Sequence, residues 1–175
     1  MKKTLIGAIA LALAVAAPAR ADWQFTKWGM SQAEFRQTAP IAITKSDYNA
    51  LSYRCDNLLA AVWAIGKTPK YIVSSWQAGG FKFANCYIFD ESNSLSDVFM
   101  ILTDDSGTNE TLLDTLKNKY GQPSDKSITF LNIDLFEWRT DKDLIKFRQD
   151  WDRSTRKTFI HYSSTQSSLA NESKL

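Results

Sequence analysis

Histidine is almost missing from this 175-residue chain: His161 stands alone. Its isolation excludes the HExxH, HxH and Cys/His patterns by which zinc enzymes hold their metal. No Gly-x-Ser-x-Gly occurs either, so the nucleophile elbow of serine hydrolases is absent. Without its first 21 residues the chain is 175 − 21 = 154 residues long, which fits one domain, since domains commonly run about 100–150 residues. Cysteine is limited to Cys55 and Cys86, without the CxxC spacing of redox catalysts. The longest apolar run, Leu5–Ala17, is too short to span a bilayer, which takes about 20 apolar residues.

That run belongs to an export signal. Lys2 and Lys3 precede it, and Ala19-Arg20-Ala21 gives the small-x-small cleavage pattern before Asp22. Residues 1–21 are therefore expected to be removed, and no Cys at the cleavage point indicates a lipid anchor. The expected address is periplasmic or secreted. Removing the signal also changes the charge. It holds three of the 21 basic residues and none of the 19 acidic ones, so 18 basic face 19 acidic side chains and the net is −1. Such a surface has no electrostatic drive toward nucleic acid or anionic lipid. In an oxidising compartment the Cys55–Cys86 pair is expected to be bridged; two buried thiols are the rival reading.

Two helices are predicted. Ser31-Gln32-Ala33-Glu34 is a capping box, with Met30 and Phe35 as its hydrophobic staple, and Pro40 ends the helix near Thr38. The second runs from about Thr108 to Tyr120. Leu112, Leu113, Leu116 and Tyr120 form its apolar stripe, Lys117 and Lys119 suit its last turn, and Gly121 and Pro123 stop it. Strands are expected at Leu58–Ile65, Lys70–Trp76, Phe81–Phe89, Leu95–Leu102, Ile128–Trp138, Leu144–Gln149 and Lys157–Ser163. The predicted fold is α+β: an antiparallel sheet of six to seven strands with two helices on one face, built as helix then strands, twice. It occupies residues 22–163, and residues 164–175 read as a flexible polar tail.

Trp28-Gly29-Met30-Ser31 with Glu34, then Tyr87-Ile88-Phe89-Asp90, Lys119-Tyr120-Gly121-Gln122-Pro123 and a closing strand at Ile160–Ser163, resemble small uncharacterised exported bacterial proteins that open on a WGMS motif. Some of these look like the β-lactamase-inhibitor-protein fold, whose halves each pack a helix on an antiparallel sheet. The resemblance implies an architecture and brings no catalytic residues with it.

Chemistry is thinly signalled. Ser154-Thr155-Arg156-Lys157 matches S-x-x-K, but it lies in a turn entering a strand and its SDN and KTG companions are absent. Phe83–Leu116 contains no Lys or Arg and seven acidic residues, yet Asp104–Glu110 lacks the Gly and Glu positions of a calcium loop. Arg139–Lys157 has seven basic and four acidic residues, a mild dipole suited to a charge-steered protein partner. Trp63, Trp76, Trp138 and Trp151 fall on or beside strands; Trp151, Trp138 and Trp76 are the candidate binding surface, Trp151 foremost. The reading is a non-enzymatic envelope module that binds a protein, as an inhibitor or accessory factor. The alternative is a binder of a small ligand or cell-wall glycan through Trp and Tyr, and an envelope enzyme ranks last. No catalytic, cofactor or metal residues are assigned, and no nucleic acid or membrane anchor is expected.

Overall fold

The WGMS segment is the joint between chain start and sheet. In the computed structural model, which describes residues 25–39, 45–62, 69–103, 109–128, 133–151 and 156–165, Gly29 N donates to Leu95 O and Leu95 N to Met30 O. Gly29 sits at φ +80°, where a side chain is strained. The Trp28 indole donates to Asp143 Oδ1 at 2.7 Å. Ser31 Oγ accepts from Glu34 N while Ser31 N donates to Glu34 Oε2, so both halves of the capping box are made. Those Ser31 hydrogen bonds hold the Glu34 carboxyl below its usual range. Helix α1 follows, Gln32–Thr38, burying Phe35.

Ten elements are described: α1, α2 (Lys45–Val62), β1 (Lys70–Ala78), β2 (Phe81–Phe89), β3 (Leu95–Leu102), α3 (Asn109–Tyr120), β4 (Asp125–Ile128), β5 (Ile133–Arg139), β6 (Asp143–Trp151) and β7 (Arg156–Ser164). The seven strands make one antiparallel sheet in the order β1-β2-β3-β7-β6-β5-β4. The α+β fold and antiparallel sheet are as expected. Three details differ. Residues from Leu58 to Val62, predicted as strand, close helix α2, because Leu51, Cys55 and Leu59 recur at helical spacing and are its buried side. The span Ile128–Trp138 is two strands rather than one. Last, β7 runs through Ser164, and Thr165 is buried, with its amide bonded to Lys142 O. The predicted tail therefore begins later than 164. Its remainder, and the signal at 1–21, lie outside the described residues. No described helix is long and apolar enough to cross a membrane.

The third helix changes the layering. Helices α1 and α3 share a face, where Met30, Phe35, Leu112 and Leu116 join Phe83, Tyr87, Val98, Trp138, Phe147 and Ile160. On the opposite face α2 packs against β1 and β2 through Leu51, Cys55 and Leu59, meeting Val73, Ala84, Cys86 and Ile88. This is why β2 is buried from Phe83 to Phe89 on both sides. Cys55 and Cys86 are disulfide-bonded, with Cα atoms 5.9 Å apart, and fasten α2 to β2.

The expected halves are visible in the topology. Each ends on a strand at the sheet centre, where β3 and β7 pair about Phe99 and His161. The strand order is symmetric about that pair, β1-β2-β3 on one side and β7-β6-β5 on the other. Strand β4 is then an added edge.

Candidate functional site

Strand alternation decides what the α2 face carries beyond α2 itself. From β3 come Asp97 and Phe99, and from β7 Lys157, Phe159 and His161. Strand β6 adds Leu144, Lys146 and Arg148, β5 adds Leu135, Glu137 and Arg139, and β4 adds Asp125 opposite Glu137. The apolar cluster anchored by α2 reaches Phe99 and Phe159. Among the described residues, no helix side chain joins a core cluster with β5 or β6 on this face.

What stands there is a charged ladder. Glu137 receives Arg139 at 3.3 Å from its own strand and Lys146 at 3.6 Å from β6. Arg148 lies over the Phe159 ring, 5.6 Å from its centroid. His161 Nε2 is 2.7 Å from Asp97 Oδ1, and its ring stacks on Phe99 at 4.1 Å with an interplanar angle of 3°. The only histidine is thus held between an aromatic ring and a carboxylate at the centre of the sheet. Among the described residues no group of three His, Cys, Asp or Glu is placed to hold a metal ion.

The tryptophans separate. Trp138, named as a candidate surface residue, is 2% exposed. Its indole donates to Gly121 O at 2.9 Å under the end of α3, so it is a core residue: its strand position points into the α1/α3 layer. Trp76 is half-buried and stacked on Phe83 at 5.7 Å, on that same side. Trp151 ends β6 with its backbone opposite Arg156, within a strand rather than in a turn. Trp138 thus belongs to the core on the α1/α3 side and Trp76 packs against it. Trp63 and Ser154 lie outside the described residues, and Lys157 is on strand β7, away from the helical setting that S-x-x-K chemistry requires. Among the described residues, the exposed aromatics are instead Tyr48 and Tyr53 on α2.

Beside α2, the Tyr71 hydroxyl donates to Asp56 Oδ1 at 2.6 Å. Burial, then this hydrogen bond to a carboxylate, push its pKa up to about 12. The protonated form is the one the fold favours, so its contribution is complete below about pH 10, the value for a free tyrosine, and disappears as pH rises through about 12. Thermal melts of wild type and Tyr71→Phe should differ by a constant amount up to pH 10 and converge above it. A difference that persists unchanged at pH 12 would assign the effect to packing instead.

What sequence reasoning missed was the half-sheet bearing Lys146, Arg148, Glu137 and Arg139. Its signal was present in the basic bias of Arg139–Lys157. The pairing that places β5 and β6 side by side was needed to turn that bias into a surface.

No protein-family model and no curated protein matches the chain. Among solved structures, a DUF4309 family protein, YjgB, from Bacillus subtilis is similar at 12% identity, over 79% of this chain and 89% of that one, with a TM-score of 0.36. A likeness at that level carries no inference about function.

Proposed function

We propose that this is an exported, non-enzymatic protein-binding module whose docking surface is the charged half-sheet of β5, β6 and β7. The observation that carries the reading is the Arg139–Glu137–Lys146–Arg148 ladder on a sheet half that no described helix covers. Side chains fixed on strands make a rigid recognition surface, and charges at a rim steer association and select partners. The Cys55–Cys86 disulfide supports the exported address, since such bonds persist in oxidising compartments. The non-enzymatic part rests on His161 being engaged by Asp97 and Phe99 with no nucleophile described as bonded to it.

The test is site-specific photo-cross-linking in envelope extract, with the cross-linker replacing Leu135. A defined adduct is expected with the otherwise native surface and is lost when Lys146→Glu and Arg148→Glu are combined, while the melting temperature stays within about 2 °C. An adduct of equal yield in the charge-reversed protein would remove this surface from consideration.

A further inference from the structure

On the α1/α3 face, the buried side chains of β1 and β2 are apolar except at one place. Asn85 of β2 stands opposite Ser74 of β1, with Met100 of β3 on its other side and Tyr87 next along the strand on the same face. All three polar residues are buried: Asn85 is 0% exposed, Tyr87 1% and Ser74 4%. Asn85 Nδ2 donates to Ser74 Oγ at 3.2 Å and to the Tyr87 hydroxyl at 3.4 Å, and the two hydroxyl oxygens are 3.2 Å apart. The amide oxygen is left over. Asn85 Oδ1 is buried and has no hydrogen-bond partner among the described residues.

The hydrogens available fix the way the amide faces. Each hydroxyl supplies one, so Nδ2 turned toward them satisfies all three contacts. With the amide reversed, both hydroxyl hydrogens would go to Oδ1 and the Ser74–Tyr87 contact would have none. Burial pushes the Tyr87 phenol above its usual range, which keeps that hydroxyl neutral. An acceptor buried without a donor loses its hydration and regains nothing, whereas apolar side chains of similar shape would be nearly neutral here. Local departures of this kind concentrate at functional sites. The surroundings are aromatic. The Phe35 ring of α1 lies 4.5 Å from Tyr87, and the half-buried Trp76 stacks on Phe83 at 5.7 Å.

From this geometry we infer that Ser74, Asn85 and Tyr87 are the floor of a binding site for a small, neutral aromatic molecule carrying one N–H or O–H donor. The donor meets Asn85 Oδ1. Phe35, Tyr87, Phe83 and Trp76 supply the apolar walls, and a few fixed polar groups among aromatic rings are what small-molecule sites use for orientation. Neutrality follows from the floor, which offers two hydroxyls and an amide but no charged side chain, so a buried ion would lack its counter-charge. Strand β1 is the outer strand of the sheet, and Trp76 on it is the least buried of the four walls. The site is on the face opposite the charged ladder and is independent of the docking surface.

Indole and indene, which share a shape and differ in the N–H, provide the test. Titrated into the wild-type protein and followed by amide NMR, indole should bind with a Kd of about 1 mM or tighter and about tenfold more tightly than indene, the discrimination one buried hydrogen bond gives. The amide signals of Ser74, Asn85 and Tyr87 should move, while those of Lys146 and Arg148 stay in place. Asn85→Leu removes the acceptor and should bring the two probes to equal affinity. Ser74→Ala leaves Oδ1 in place and should keep the preference for indole. Equal binding of both probes by the wild type overturns the inference, and this comparison needs no variant to fold. Saturation by neither probe at its solubility limit overturns it as well, and leaves an ordered water as the only occupant of Asn85 Oδ1. So do shifts confined to Tyr48 and Tyr53 on α2, which would mark adsorption to exposed rings.

Discussion

Replacing both half-cystines, Cys55→Ala with Cys86→Ala, should lower the melting temperature by about 10 °C. The bridge closes a loop of 31 residues, for which the chain-entropy account gives about 3–4 kcal/mol. In a domain of about 150 residues each kcal/mol moves the midpoint by roughly 2–4 °C. The loss is concentrated in one place. The disulfide is the covalent tie between α2 and the sheet, and the apolar contact beneath it is narrow, built on Leu51, Cys55 and Leu59. Hydrogen exchange should therefore show α2 amides losing protection in the double variant while β6 and β7 keep theirs. Both sulfurs are fully buried, so reductant should act on the folded protein only through opening of this helix. Melting curves that coincide for the two proteins under oxidising conditions would show that the bond adds no stability.

The elements legible in the sequence were those with local chemistry of their own. The capping box at Ser31 and the Gly121 stop are side-chain and backbone devices acting within one turn, and α1 and α3 have the ends they predict. In Phe81–Phe89 the alternation is legible too, with Phe81, Phe83, Tyr87 and Phe89 on one face of β2 and Lys82, Ala84, Cys86 and Ile88 on the other. Helix α2 was obscured because its core-facing side includes a cysteine and its mean composition is polar, so that Leu58-Leu59-Ala60-Ala61-Val62 looked like a buried strand. Cysteine is among the most buried residue types. Counting Cys55 as apolar restores the Leu51–Cys55–Leu59 spacing. The division between β4 and β5 was hidden for the opposite reason: the residues between them, 129–132, carry one turn former, Asn132, in an otherwise strand-like run.

The candidate site was less legible than the fold because it is made by pairing. Glu137 and Lys146 are nine positions apart, and nothing in either residue marks it as the other's neighbour until β5 and β6 fix their register. His161 and Asp97 are 64 apart and meet through the central β3–β7 contact. Aromatic content misled in the same way. A tryptophan on a strand belongs to whichever face its position dictates, and for Trp138 that face is the one beneath α3.

Trp138→Ala is accordingly expected to be among the most damaging single substitutions in the chain. The indole is 2% exposed and packs beside Phe136, ring centroids 6.4 Å apart, and truncating an aromatic ring of this burial costs about 3–5 kcal/mol. Its N–H is also the partner of the Gly121 carbonyl at the exit of α3. Gly121 has φ +82° and returns its own amide to Lys117 O, so the indole secures the residue that ends the helix. Trp138→Phe separates the two contributions. It keeps most of the ring and deletes the donor, and should cost about 1–2 kcal/mol, with the carbonyl losing its partner. Denaturant titrations of the three proteins provide the comparison, and amide exchange at the last turn of α3 should rise in both variants. If Trp138→Ala unfolded within about 0.5 kcal/mol of wild type, the ring would have to face solvent and the Trp-based binding surface would return. A loss of the expected size removes Trp138 from any exposed binding surface.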